Sequence, residues 1–237
     1  MWIPFDFVKK SDFFCDIHGF LDLKMKKPTR YLLTTFVILL ISSAAWGQRM
    51  WFEFGIAKSI SDKFEISLDP EVRFKEGFDL NEYFIEPGME YEFVKYFSIG
   101  ASYRVGNNLK KDGSAQWFGR YALDAKSEYD WKRLETQLRI RYTNYDDLIG
   151  ENSDKVNYLR FKLKLEYDLK GTDFRPYAVY EIYRNLQENE FTKTRWEAGA
   201  EYKISKHHAV GAYFRLNDYR DDEDSVKIIG ITYKFDF

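Results

Sequence analysis

Cysteine is almost absent from the sequence, which contains one, Cys15, among 237 residues. Beyond position 15, a disulfide scaffold, thiol catalysis and a lipid-modified cysteine are therefore excluded. Histidine is nearly as rare, and after position 18 it occurs only as the adjacent pair His207 and His208, in one predicted turn. Known serine and aspartate hydrolases of membranes use a histidine, whose pKa lies near neutral, as their base. Because no histidine falls in a predicted strand or long loop, we do not expect an enzyme.

Apolar runs long enough to cross a membrane as a helix are also missing. The run over 31–43 is shorter than the roughly 20 residues that a spanning helix needs. It follows a basic segment that begins at Met25, and small residues come after it, which is the pattern of a secretory signal peptide. We therefore predict an over-extended gene start over 1–24, a cleaved signal peptide for the Sec pathway over 25–47, and a mature domain over 48–237.

Neither sign of charge dominates, since the formal net charge is −2 at pH 7. That balance gives no support for a nucleic-acid partner, which would call for a strongly basic chain. Gly106 and Gly150 lie in predicted hairpin loops, where turn formation explains them better than phosphate binding does. The acidic loop 221–224 could collect Ca²⁺ or bridge to lipopolysaccharide phosphates, but it lacks EF-hand spacing, and a solvated loop is the favoured interpretation. No cofactor and no metal site is predicted.

What the sequence does contain is strict alternation, most clearly at its C-terminus. Phe237, Phe235, Tyr233, Ile231 and Ile229 occupy every second position, with polar residues or glycine between them. In a strand this spacing places all five on one face. A last strand of this kind, ending in Phe, resembles the C-terminal signal of bacterial outer-membrane β-barrels. The resemblance implies recognition by the barrel-assembly machinery and closure of a barrel against the first strand.

Strand and turn succeed one another along the whole predicted mature domain, and no window shows convincing helical periodicity. The turns are alternately tight, as around Lys95 and Trp131, and looser, as over 107–115, 146–154 and 219–225. Up-and-down outer-membrane barrels combine short periplasmic turns with longer outer loops in this way. If Phe237 ends in the periplasm, the looser loops all fall on the outside.

The number of strands is less regular than their pattern. The alternation gives eleven segments, whereas a barrel with both termini in the periplasm needs an even number. We therefore predict an all-β, antiparallel up-and-down transmembrane β-barrel of about ten strands, with 50–58 not counted as a full strand, or twelve if one break is missed. Pro70 and Pro87 lie within strands, where they indicate bulges or breaks.

Alternation alone would also fit a soluble secreted β-barrel such as a lipocalin, whose apolar face points inward. Here one phase carries charges of both signs, while the other is nearly free of charge between strand ends. Each Arg or Lys that faces the middle of a bilayer costs about 2–4 kcal/mol, so in lipid the charged phase must face the lumen. The leader, the terminal Phe and the aromatic residues near strand ends favour the outer membrane of a Gram-negative cell, in contact with its lipid and lipopolysaccharide.

Short motifs along the predicted mature domain resemble an outer-membrane family of unknown function, number twenty-four-ninety in the DUF series. The resemblance implies a barrel and carries no assigned activity or site. The residues that support it are Trp51, Glu71-Val72-Arg73-Phe74, Tyr103-Arg104, Leu159-Arg160, Arg175-Pro176-Tyr177 and Glu181.

The lumen is the remaining candidate for a function. Its acids cluster early in the chain and its bases in the middle, so that across a narrow barrel they could form a paired polar core. They could instead line a path for small solutes or bind a charged ligand. Small barrels are largely filled by their own side chains, which favours the paired core. The candidate lumen residues are Glu71, Arg73, Glu86, Glu90, Arg104, Arg139, Arg141, Arg160, Lys162 and Glu181.

The favoured hypothesis is therefore an outer-membrane barrel with a charged, closed lumen and a structural or binding role. A narrow channel or transport accessory for small charged solutes is the second hypothesis. A lipid-modifying outer-membrane enzyme is the third. The sequence does not identify a ligand.

Overall fold

The computed structural model describes residues 49–109, 114–147, 156–220 and 225–237, and almost all of them are in β-strands. The predicted gene start and signal peptide, Gly150 and the acidic loop 221–224 lie outside the described residues. The strands are β1 (Arg49–Ser61), β2 (Phe64–Leu68), β3 (Glu71–Phe74), β4 (Leu80–Ile85), β5 (Pro87–Val94), β6 (Phe97–Leu109), β7 (Ala115–Trp131), β8 (Leu134–Asp147), β9 (Val156–Tyr167), β10 (Phe174–Asn185), β11 (Glu190–Lys203), β12 (His208–Tyr219) and β13 (Val226–Asp236).

These strands form one sheet that closes on itself. From β6 to β13 each strand pairs with its neighbour in the sequence, whereas β2 and β3 lie end to end along β1, and β4 and β5 lie end to end along β6. The two breaks face each other, because Asp69 and Glu86 exchange backbone hydrogen bonds of 3.0 and 3.1 Å. Pro70 and Pro87 thus mark breaks, as the sequence indicates. The thirteen segments fill eleven positions around a closed barrel.

The all-β transmembrane-type barrel is confirmed, but the predicted strand number of ten or twelve is wrong. β1 is a full strand, and it pairs with β13 in parallel, from Arg49 opposite Ile228 to Ala57 opposite Asp236. An even number is required only when every pair of neighbours is antiparallel. One parallel pair therefore closes an odd barrel, and the first and last residues of this sheet lie at opposite ends.

We call the two ends of the barrel the turn end and the loop end. The turn end carries Phe237 and the connections after β1, β5, β7, β9 and β11. The loop end carries Arg49 and the connections after β3, β6, β8, β10 and β12. The looser loops of the sequence analysis share the loop end, which agrees with the predicted arrangement.

The outer face of the barrel is apolar and the inner face is charged. Large apolar side chains on the outer face stay more than a third exposed, among them Ile66, Leu123, Ile140 and Phe161. A continuous apolar exterior of this extent fits hydrocarbon better than water. In the described part of the chain, no helix is long and apolar enough to span a bilayer.

The predicted assembly strand occupies the last position of the barrel. The lumen receives Thr232, Lys234 and Asp236 from β13, so the alternate residues, which include Ile231 and Tyr233, face outward. The backbone N–H of Phe237 donates a hydrogen bond of 2.9 Å to the carbonyl of Ala57, so the chain terminus is itself paired with β1. The predicted contact between last and first strands is therefore present.

Candidate functional site

The pleat of the strands brings charged residues from neighbouring strands side by side in the lumen. Arg139 of β8, Lys162 of β9 and Glu181 of β10 are register partners in one row, and Arg141 and Arg160 are partners in the next. Because side chains alternate between the faces, every second residue of these strands points inward. Eight of the ten candidate lumen residues line the central cavity. The other two, Glu86 and Glu90, are bound by side chains that line it.

One group of ion pairs runs across β6 to β11, and we call it the ionic wall. Arg104 Nε lies 2.6 Å from Glu86 Oε2, and Arg141 Nη1 lies 3.2 Å from Glu86 Oε1. Arg141 also holds Asp124 with two bonds of 2.7 and 2.6 Å. Such paired bonds between a guanidinium and a carboxylate are strong and fix the orientation of both groups. The ionic wall consists of Glu86, Asp124, Glu181, Arg104, Arg139, Arg141, Arg160 and Arg195.

Glu181 is the centre of the ionic wall, with only 2% of its surface exposed. The guanidinium groups of Arg139, Arg160 and Arg195 lie 3.4, 2.8 and 3.3 Å from its carboxylate oxygens. The Tyr183 hydroxyl donates a further hydrogen bond of 2.8 Å to Oε2. A buried carboxylate needs such a set of partners to offset its lost hydration.

A second group, which we call the seam wall, lies where β1 meets β13. Trp51, Tyr213 and Ile228 form the buried apolar cluster of the barrel interior. The guanidinium carbons of Arg73 and Arg215 stand 3.8 and 4.8 Å from the centre of the Trp51 ring, close enough for cation–π attraction. The seam wall also contains Gly230, Glu53, Glu71, Glu82 and Glu197.

Tyr213 of the seam wall leaves no room for a side chain at Gly230 on β13. The Tyr213 ring lies over Gly230, where an added Cβ would be 2.0 Å from ring carbon Cζ. The Tyr213 hydroxyl donates a hydrogen bond to Glu53 on β1. Arg215 joins the same strands, because it lies 2.6 Å from Glu197 and 3.4 Å from Glu53. Two side chains of β12 thus reach across β13 to hold the first strand, and Glu197 of β11 anchors one of them.

The structure pairs the predicted lumen residues differently from the predicted opposition of early acids and middle bases. Glu71 pairs with Arg73 of its own strand at 2.5 Å, and Glu90 pairs with Lys126 of β7. The only early acid of the set that meets a middle base is Glu86, through Arg141, among the described residues. The reason is register, since strands three positions apart are the farthest that an arginine side chain bridges here.

Sequence reasoning missed several residues of both walls. Asp124, Arg195 and Arg215 make central ion pairs, but none of them is in the candidate set. The alternation of lumen-facing and lipid-facing positions would have identified Arg195 and Arg215, because β11 and β12 show it as β9 does.

The histidines lie at the turn end, away from both walls. His208 is the first residue of β12, so the expectation that no histidine falls in a strand is wrong, because the strand begins one residue inside the predicted turn. Its ring stacks on Phe235, and its Nδ1 lies 2.7 Å from the Tyr233 hydroxyl. His207 Nδ1 lies 2.7 Å from the carbonyl oxygen of Asp236. Within the described ranges, no group of three acidic, histidine or cysteine side chains could hold a metal ion.

A cavity of about 770 Å³ occupies the lumen between the two walls. It is lined at the loop end by Arg49 and Tyr219 and at the turn end by Ala57 and Asp236, so it extends along the barrel. Fourteen Lys and Arg residues face it, against nine Asp and Glu residues. The cavity surface is therefore positively charged, although the chain as a whole is slightly acidic.

A comparison with protein families assigns the chain to one of them. Residues 48–226 match the family described as "Protein of unknown function (DUF2490)". The chain belongs to this family. The resemblance inferred from short motifs is thereby confirmed, and the family carries no assigned activity. No curated protein matches the chain.

Solved structures provide the fold relationship. The β domain of the Bordetella autotransporter BrkA superposes with a TM-score of 0.50 at 13% identity, covering 76% of this chain and 86% of that domain. A loop-deletion mutant of OmpT from Vibrio cholerae gives 0.42 at 14% identity, covering 75% and 60%. An anion-selective porin from Comamonas acidovorans gives 0.37 at 13% identity, covering 70% and 51%. The BrkA superposition shows a shared outer-membrane barrel fold, and the chain spans only 60% of the OmpT variant.

Several of the motif residues by which this member resembles the family line the lumen. Trp51 and Arg73 stack on each other in the seam wall. Arg104, Arg160 and Glu181 belong to the ionic wall. Tyr103, by contrast, is 44% exposed on the outer face, so the motifs include positions on both faces of the barrel.

Proposed function

We propose that this protein is an integral outer-membrane barrel with a non-enzymatic binding role, whose lumen is closed to free diffusion by ion pairs. The observation that carries the proposal is the reach of Arg141 across the lumen wall. Its side chain starts on β8, holds Asp124 on β7, and extends past β6 to Glu86 at the break between β4 and β5. Arg139 likewise extends past β9 to Glu181. Because the guanidinium groups of these arginines are held by carboxylates on other strands, their side chains narrow the open cross-section of the lumen.

The apolar exterior supports the outer membrane as the location. Turning one inward Arg or Lys to the middle of the bilayer would cost about 2–4 kcal/mol, so a membrane enforces the observed phase. Export through the Sec pathway, insertion by the barrel-assembly machinery and contact with lipopolysaccharide complete this proposal. A Gram-negative cell is the source that it requires.

Deletion of Phe237 tests the location and the assembly signal. We expect less protein in the outer membrane and degradation of the remainder, because the terminal pairing with Ala57 and the terminal aromatic ring are both lost. The measurement is a heat-modifiability gel on purified outer membranes. Normal amounts of folded, heat-modifiable deletion protein would show that Phe237 is not the signal.

Closure of the lumen is tested by current recordings in planar bilayers. The purified barrel should give no steady conductance, and removal of the Arg139 and Arg141 side chains together should destabilise the fold without opening a pore. A barrel closed by another means would show neither instability nor current in this double variant. Large, steady currents from the unaltered protein would contradict a closed lumen.

A narrow channel is the second candidate, and the extent of the cavity favours it. Arg49 at the loop end and Asp236 at the turn end line one continuous space of about 770 Å³. In this case the unaltered protein should conduct, and its currents should prefer anions because cations outnumber acids on the cavity surface. Reversal potentials in a salt gradient distinguish this candidate from a closed binding barrel.

A further inference from the structure

The ionic wall contains more positive charge than its carboxylates can neutralise. Its three carboxylates, Glu86, Asp124 and Glu181, are shared among five arginines. Glu181 alone serves three of them. Ion pairing within the wall therefore leaves a surplus of cations around the cavity.

Three more cations face the same cavity without a carboxylate partner. Among the described residues, no acidic oxygen lies within 4.0 Å of Arg120, Lys162 or Lys193. The amino group of Lys193 instead sits 3.9 Å from the centre of the Tyr183 ring. All three side chains are partly buried, so water screens them less than it would at an open surface.

Two of these cations, Arg120 and Lys193, lie in one region towards the loop end. Arg104 and Arg160 act on Arg120, and Arg195, Arg160 and Arg120 act on Lys193. One acid opposes them at each site, Glu86 at Arg120 and Glu181 at Lys193. Lys162 stands in register between Arg139 and Glu181, one row nearer the turn end. Cations therefore outnumber acids around Arg120 and Lys193, which raises the energy of the empty site.

A second observation is an unused hydrogen-bond donor on Arg139, the register partner of Lys162. Arg139 Nε is buried and makes no hydrogen bond to any described residue; its nearest carboxylate oxygen, on Asp124, is 3.7 Å away. Buried N–H groups are normally satisfied, and an orphaned one indicates a missing partner. A bound oxyanion would accept this bond and neutralise the surplus charge together.

We propose that this part of the lumen binds a small, multiply charged oxyanion of the phosphate or carboxylate class. Arg120, Lys162 and Lys193 are its primary ligands, and Arg139 supplies the free N–H. Guanidinium forks match the oxygen geometry of phosphate and carboxylate, which selects oxyanions over halide ions. Several neighbouring cations favour an anion that carries more than one negative charge. The inference rests on the proposed binding function and gives that function a ligand class.

The test uses the folded, full-length mature barrel in detergent, titrated with sodium pyrophosphate by isothermal calorimetry at constant ionic strength. We expect saturable binding, and at least tenfold weaker binding by the double variant Lys162→Gln and Lys193→Gln. The matched control is Lys234→Gln, which removes a lumen lysine paired with Glu201 near the turn end. This control should bind pyrophosphate as the unaltered barrel does. Citrate, titrated in parallel, distinguishes carboxylate from phosphate preference.

Stability without the anion separates binding from a merely structural role. Because the two lysines repel their neighbours, the double variant should keep or raise the temperature at which the folded gel band is lost. Pyrophosphate should raise that temperature for the unaltered barrel and leave the double variant unchanged. A double variant that is less stable without anion and equally stabilised by pyrophosphate would overturn the inference.

The two proposals fail in different experiments. If neither pyrophosphate nor citrate binds to a barrel that is closed and correctly located, the oxyanion site is wrong and the closed barrel stands. If pyrophosphate binds but the barrel conducts steadily, the oxyanion site stands within a channel.

Discussion

The ionic wall and the seam wall line the same lumen but are held together by different physics. The ionic wall joins strands that follow one another through hairpins, so its register is set locally and charge pairs suffice. The seam wall joins β1 to β13, whose residues are far apart in the sequence. There ion pairs surround a closely packed apolar cluster, in which the Tyr213 ring lies over Gly230 beside Trp51 and Ile228. The seam wall, which joins strands far apart in the sequence, thus adds close packing of side chains to its ion pairs. The ionic wall, which joins strands connected by hairpins, relies on ion pairs.

The walls also differ in the sign of their surplus charge. In the seam wall, four carboxylates surround Arg73 and Arg215, whereas in the ionic wall five arginines surround three carboxylates. Removing an acid should therefore be costly in the ionic wall and nearly neutral in the seam wall. The following predictions test this contrast.

Glu181→Gln should have the largest effect, because it leaves three arginines without their shared carboxylate. Breaking a buried pair on one side costs about 3–5 kcal/mol, and we expect a loss of that order in the free energy of unfolding. The measurement is the urea midpoint of the folded gel band. The matched control is Glu201→Gln, whose partner Lys234 is about half exposed, and which should cost less than about 1 kcal/mol. Equal losses would mean that the ionic wall is not a buried network.

Ile231→Arg tests the lipid side of the seam. It places a guanidinium on the outer face beside Phe52 and Ala212, at about 2–4 kcal/mol if near mid-bilayer depth. Thr232→Arg, one residue away, points into the lumen opposite Glu53 and should cost much less. Folding yields into lipid vesicles measure the difference. The reverse order would place the apolar face inward, as in a soluble barrel.

Gly230→Ala tests steric fit on the lumen side of the seam. The added methyl group displaces the Tyr213 ring and weakens its bond to Glu53, which we expect to cost about 1–3 kcal/mol. The same substitution at Gly100, where a Cβ would stay 3.2 Å or more from its neighbours, is the control and should cost less. Thermal loss of the folded gel band compares the two. A barrel indifferent to Gly230→Ala would show that the seam is not closely packed.

Glu53→Gln should have the smallest effect. Arg215 keeps Glu197 at 2.6 Å, and the amide oxygen of Gln still accepts the Tyr213 hydrogen bond. The four carboxylates of the seam wall repel one another, and neutralising one of them reduces this repulsion. The change in unfolding free energy should therefore stay within about 1 kcal/mol. The same urea assay applies. A loss as large as that of Glu181→Gln would remove the distinction between the walls.

The sequence predicts the features that lipid imposes on every strand. The inward phase of Arg139, Arg160 and Glu181 follows from alternation, and the breaks follow from Pro70 and Pro87. It does not predict the parallel pairing of β1, because an even count assumes antiparallel closure. Nor does it predict the surplus cations, since whether Lys193 finds a carboxylate depends on neighbours that only register determines.

The parallel seam also dictates the order in which the barrel can be completed. Arg49 and Phe237 stand at opposite ends of the sheet, so a turn end in the periplasm puts the start of β1 at the cell surface. A chain still tethered at its beginning to the inner membrane could not place β1 in that direction. The predicted leader must therefore be released before the ring closes. Protease treatment of intact cells should remove a tag placed before Arg49 and spare one placed after Phe237.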